Sequence, residues 1–138
     1  MSSYLIINRH SSIDPYLEDL ANIYSSNGWG SSYQRPLLRR MYSNCEFFLA
    51  LNGGTAVGLL RAFGDGVTVT HLSEVLTERS FHRNGVATAL MNVFVNEFKH
   101  TAIYAEALDE LIVPTLKKFN FQSKARLHAY ARKATFER

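Results

Sequence analysis

Apolar and polar positions along the chain switch between two periods, and the switches mark the elements. Tyr4–Asn8 is a short apolar run and predicts a first strand. Asp14-Pro15 supplies an N-cap residue with proline at the first helical position, and Ile13, Leu17, Leu20 and Tyr24 follow at helical spacing. Asn27-Gly28 is the stop for that helix, and Gly28–Tyr33 is a loop. Pro36 opens a second helix over Leu37–Tyr42, with Arg35, Arg39 and Arg40 on a basic face. Glu46–Leu51 and Thr55–Phe63 flank Asn52-Gly53-Gly54, a strong hairpin signal. Gly64-Asp65-Gly66 is a second turn, and Val67–Thr77 a long third strand of the same meander.

A polar loop then runs from Arg79 to Gly85. Val86, Leu90, Phe94 and Phe98, backed by Ala89, Met91 and Val93, form a wide apolar stripe and predict a helix over Gly85–His100. That helix crosses to Thr101–Leu108, a strand expected to run parallel to Val67–Thr77. Asp109–Phe119 has a helical pattern with Pro114 inside it, and Leu127–Lys133 alternates as a last strand. The order predicts an α+β fold: a mixed, mostly antiparallel sheet flanked by helices, in one domain over residues 1–138.

Composition narrows the classes. Apolar content of 46% and charged content of 20% suit a globular protein. No apolar run approaches the length of a membrane span, and no signal peptide is evident. A net charge of +3, scattered, is too mild to argue for nucleic acid but favours an anionic ligand. Cys45 is the only cysteine, which rules out an intramolecular disulfide and a multi-cysteine zinc site and suits a reducing compartment; no metal site is expected.

A strand, a glycine-bearing turn and a helix N-terminus together make an anion cradle, because first-turn N–H groups lack partners and the helix dipole adds positive charge. His82, Arg83, Asn84, Gly85, Val86, Ala87 and Thr88 occupy that turn. Neither Gly-x-x-x-x-Gly-Lys-Ser/Thr nor Gly-x-Gly-x-x-Gly after a strand is present. On the preceding strand, Glu74 is a carboxylate among apolar neighbours and a candidate general base, or a structural partner of Arg61. His71 is the other candidate, since imidazole changes charge near neutral pH. Strict alternation puts His71 and Glu74 on opposite faces of the sheet, and a bulge between them would bring them together.

The run Phe81-His82-Arg83-Asn84-Gly85-Val86-Ala87, followed by Thr88-Ala89-Leu90, resembles the pyrophosphate signature of the GNAT superfamily, Arg/Gln-x-x-Gly-x-Gly/Ala. Gly85 and Ala87 match, whereas His82 stands in place of the leading Arg/Gln. The resemblance extends from about Tyr4 to Lys133 and is most specific over Gly58–Leu90; Leu60–Gly66 and Asn27-Gly28-Trp29 with Tyr33 are similar to a small bacterial-type branch. It implies a cytoplasmic N-acetyltransferase with acetyl-CoA as co-substrate and direct attack by a small-molecule or peptide amine. It implies no membrane or nucleic-acid partner, and it allows a homodimer. The two parallel strands would splay to admit acyl-CoA, with Leu76 and Thr77 offering backbone groups to the thioester and pantetheine arm. Trp29 and Tyr33 would border the acceptor, or simply anchor their loop. The family's last-helix tyrosine is replaced by Leu116, with Asn120 at the usual glycine and Asp109 at the usual asparagine; Tyr104 and Tyr130 are the substitutes at hand. The alternative is a GNAT-like CoA-binding regulatory module without turnover.

Overall fold

The computed structural model describes residues 4–106 and 112–135. The chain divides into two compact units, 1–105 and 106–138. The first holds strands β1 (Leu5–Asn8), β2 (Glu46–Asn52), β3 (Thr55–Gly64), β4 (Val69–Thr77) and β5 (Ala102–Ala105) in sequential order. Pairing is antiparallel up to β4, and β4–β5 is parallel. Helices α1 (Leu17–Ser26) and α2 (Arg35–Tyr42) pack with one face of the sheet, and α3 (Val86–Phe98) crosses the other.

The stripes seen in the sequence become these two cores. Leu17, Leu20, Ile23 and Tyr24 of α1 meet Leu49, Leu51 and Leu59 of the sheet. On the opposite face Phe48 packs edge-on against Phe94 and Phe98, with ring centroids 6.1 and 6.4 Å apart. The α3 helix lies so close over β3 that a Cβ on Gly58 would come within 2.3 Å of Val86 Cγ1. Any side chain there pushes α3 off the sheet.

Five expectations change. Asp14 does not cap a helix through its side chain: Ile13 precedes a single 3-10 turn, Asp14–Tyr16, from which α1 starts, and Asp14 instead pairs with Arg39 at 2.9 Å. The β4 strand starts at Val69, not Val67, because the Asp65 carboxylate accepts N–H bonds from Val67, Thr68 and Val69 and extends the turn. The expected strand Thr101–Leu108 is seen as Ala102–Ala105, with Ala107 and Leu108 outside the described residues.

In the second unit Pro114 sits in the first turn of α4 (Val113–Lys118), where its missing N–H costs nothing, so it begins this helix instead of kinking it. Asp109 lies outside the described residues. Asn120 adopts a left-handed φ of 68° and closes the helix: its N–H reaches the Lys117 carbonyl, and the Phe121 N–H reaches that of Leu116. Leu127–Lys133 is not a strand: the segment is exposed and no described strand pairs with it, and alternation without a neighbouring ladder does not make a strand.

Candidate active site

The β3–β4 register pairs Arg61 with Glu74 and Ala62 with Leu72, so Ser73 is an extra residue, a bulge. The bulge resets alternation and puts Glu74 on the same face as His71, the face toward α1 and α2.

Glu74 does not stand alone among apolar neighbours there. Its Oε1 accepts from Arg61 Nε at 2.7 Å and its Oε2 from an Arg61 terminal nitrogen at 2.9 Å, a two-point fork. Tyr24 of α1 donates its hydroxyl to Oε1 at 2.7 Å. Tyr24 has one O–H and spends it on Glu74, so the Tyr42 hydroxyl, 2.9 Å away, donates to Tyr24. Arg61 also lies over the rings of Tyr42 and Phe63, 5.6 and 5.7 Å from their centroids. The pair is sealed, with side-chain exposures of 12% for Arg61 and 8% for Glu74.

Burial first, then the nearby Tyr42 and Glu74, raises the Tyr24 phenol far above its ordinary range. Burial raises Tyr42 as well, against the lowering effect of the Tyr24 hydrogen bond. Burial works against the Arg61 charge, but hydrogen bonding and attraction to Glu74 outweigh it and hold the guanidinium protonated. Half-buried Cys45 has its thiol pushed up by burial, which makes it a poor nucleophile.

An aromatic wall stands on Tyr24. Tyr33 stacks flat on it, centroids 4.2 Å apart at 6°, and Trp29 leans against it at 5.6 Å. Trp29 itself is 39% exposed. Tyr33 also lines a cavity of about 340 Å³ along α1, together with Leu17, Ala21, Glu18 and Arg35. His71 is exposed and stands apart from the Glu74 network, its ring 6.1 Å from that of Tyr104.

The register of β4 with β5 ends at Leu72 opposite Ala105, while β4 runs on through Ser73–Thr77. Leu76 and Thr77 therefore lie on a stretch whose β5 side has no described strand against it. The Thr77 carbonyl is taken twice, by Asn27 Nδ2 and by His82 Nε2, each at 2.9 Å. His82 thus carries its proton on Nε2 and braces the loop. Beyond it Arg83 has a left-handed φ of 67°, a costly conformation for a non-glycine residue, and Gly85 has φ 79° at the helix start.

The first backbone bond of α3 runs from Ala89 N–H to Gly85, which leaves the N–H groups of Val86, Ala87 and Thr88 without intrahelical acceptors. The Asn84 N–H is already donated to Phe81, and the Asn84 carbonyl accepts from Tyr4. Val86 is buried against Gly58 and offers the cradle only its backbone.

Tyr24, Tyr42 and Asn27 went unrecognised in the sequence. Tyr24 counted only as an apolar helix position, and Asn27 only as a helix stop. The signal was there: an acid and an arginine facing one another in apolar strands need polar partners, and buried hydroxyls supply them.

A model of the acetyltransferase (GNAT) family matches residues 15–120. The chain belongs to the GNAT family. Solved GNAT structures agree in fold. An acetyltransferase from Streptococcus pneumoniae TIGR4 is 22% identical, covers 95% of this chain and 100% of its own, and has a TM-score of 0.70. A structure described as an acetyltransferase from Deinococcus radiodurans R1 is 16% identical over 94% of this chain and 92% of its own, with a TM-score of 0.74. An aminoglycoside N-acetyltransferase in complex with CoA is 15% identical over 96% and 98%, with a TM-score of 0.65. Curated proteins returned no match. Among the described residues of this GNAT chain, no helix is long and apolar enough to cross a membrane, and no group of His, Cys, Asp and Glu side chains could hold a metal ion.

Proposed function

We propose that this GNAT protein is an N-acetyltransferase that moves the acetyl group of acetyl-CoA to a primary amine by direct attack. The stretch of β4 beyond Leu72, which has no described strand on its β5 side, beside the left-handed start of α3 at Gly85, carries the reading. The thioester lies along Leu76 and Thr77, and the pyrophosphate rests on the N–H groups of Val86, Ala87 and Thr88, with Arg83 adding charge from the rim.

An alkyl ammonium has a pKa of about 10.4, so a base must take a proton before attack. Glu74 is committed to Arg61 and Tyr24 through both oxygens, and moving it would break the fork. His71 shares its face, is exposed, and precedes by one residue the last described β4–β5 pair, so we assign the base to His71 and an orienting role to Glu74. A backbone N–H of the Leu76–Thr77 stretch receives the oxyanion. The CoA thiol, with a pKa of about 8.5, leaves as thiolate, so Leu116 at the usual tyrosine position does not block the step.

The test is release of free thiol from acetyl-CoA with a panel of simple amines, aminoglycosides and peptide N-termini. Turnover that falls at least tenfold in His71→Ala, with loss of the acidic limb of the pH–rate profile, is the expected result. The engaged state of Glu74 favours the alternative, a CoA-binding module without turnover; saturable CoA binding with no acceptor in the panel consumed would establish it.

A further inference from the structure

The chain leaves β4 through a peptide group held from three elements. Its carbonyl, that of Thr77, accepts from Asn27 Nδ2 and from His82 Nε2. Its N–H, that of Glu78, donates to the Val57 carbonyl of β3 at 2.8 Å. A peptide group is planar, so anchoring it at both ends fixes its orientation. The following N–H, of Arg79, donates to Ser26 Oγ at 3.2 Å. Ser26 is the last residue of α1 and Asn27 its C-cap. One helix end therefore holds two successive peptide groups of a distant segment.

Of the two side chains on the Thr77 carbonyl, Asn27 is the fixed one. Its amide gives its other hydrogen to the Ile23 carbonyl at 2.8 Å, and the residue is half-buried, whereas His82 is exposed. Both acceptors are carbonyls, so only one orientation of the amide satisfies them. The Glu78 bond to β3 also orients its neighbour: the Thr77 carbonyl points away from β3, toward the flank with no described strand. Asn27 thus acts at the edge along which the thioester is placed, and on the segment that leads from there to Val86, Ala87 and Thr88.

We propose that Asn27 is a positioning residue for CoA: it holds the segment joining the Leu76–Thr77 stretch to the α3 cradle and so sets the spacing between the two halves of the site. This rests on the reading that CoA occupies both halves, and it does not require turnover. A ligand that spans two sites gains from their fixed spacing, and a ligand confined to one of them does not.

The test is calorimetric binding of CoA and of ADP, which carries a pyrophosphate but no pantetheine arm, to wild type and Asn27→Ala well below the melting temperature of each. The CoA Kd is expected to rise about tenfold, the scale of one or two lost hydrogen bonds, while that of ADP changes by less than about twofold. Asn27→Ser, a milder change that keeps a polar group at the helix end, takes its place if the alanine variant does not fold. A CoA Kd that stays put, or CoA and ADP weakened alike, would make Asn27 a helix stop and overturn the inference, whatever happens to the melting point. Wild-type protein that binds neither ligand removes the CoA reading itself and this inference with it; wild type that binds CoA beside a neutral Asn27 variant removes this inference alone.

Discussion

Replacing Glu74 with glutamine tests the division of labour between Glu74 and His71. The carboxylate accepts three hydrogen bonds, two of them from a cation, at 2.7–2.9 Å. Glutamine keeps one acceptor oxygen for Tyr24 and Arg61 Nε but turns an NH₂ toward the Arg61 terminal nitrogen, donor against donor. It also leaves a guanidinium that is 12% exposed without its counter-charge. Breaking one half of a buried pair costs about 3–5 kcal/mol. In a domain of this size that corresponds to a fall in Tm of about 10–20 °C. Arg61→Met combined with Glu74→Leu removes both charges and is expected to recover much of the loss. Thermal melts of Arg61→Met, Glu74→Leu and the double variant close the cycle. Below its Tm, Glu74→Gln is expected to keep most of the wild-type kcat/KM. A melting point within about 3 °C of wild type, with kcat/KM down about a hundredfold, would refute the argument and return the base to Glu74.

Gly85→Glu forces a side chain into a left-handed φ and adds a like charge to the cradle, so CoA affinity by calorimetry should fall at least tenfold; Arg83→Ala should weaken CoA binding at low salt and lose the difference at moderate salt. Of the seven tyrosines, Tyr24 and Tyr42 should resist ionisation in an alkaline absorbance titration until the fold opens. Their protons are held more tightly in the folded chain, so the stability they contribute is complete below a pH of about 10 and drains away as pH rises above it. Asp65 behaves in the opposite sense: the Thr68 hydroxyl and the turn N–H groups hold its carboxyl below the usual range, so its contribution is present above a pH of about 3.9 and fades as the solution is acidified. Melting curves of Asp65→Asn and wild type should differ at neutral pH and draw together as the pH falls below about 3.9.

Most of the fold was legible because period-2 and period-3.6 stripes are long in this chain. Val86, Leu90, Phe94 and Phe98 leave no other way to bury α3, and Asn52-Gly53-Gly54 admits little but a hairpin. The helix start at Gly85 was legible because a glycine at a helix start has a local cause. The partners of Glu74 were not: Tyr24 lies 50 residues away on α1, and nothing local announces that its hydroxyl turns to the strand. The last strand was misread because Leu127–Lys133 has the alternation and lacks a neighbouring strand among the described residues. The end of the described β4–β5 ladder at Leu72 opposite Ala105 is a matter of pairing between distant segments, which periodicity does not encode.

The bulge at Ser73 has a consequence for how the chain can change length. It acts as a parity switch: residues before it and after it obey opposite odd–even rules for which face they meet. Deleting Ser73 would make the strand regular and leave His71 and Glu74 two residues apart, still on the same face. A single residue added within the regular stretches Val69–Leu72 or Glu74–Thr77 would instead turn the residues beyond it to the wrong face, whereas a paired change would preserve the phase. Length variation within β4 should therefore come in twos except at Ser73, where a single residue can be lost without changing faces, and an alignment slipped by one residue through the regular part of β4 would match inward positions with outward ones.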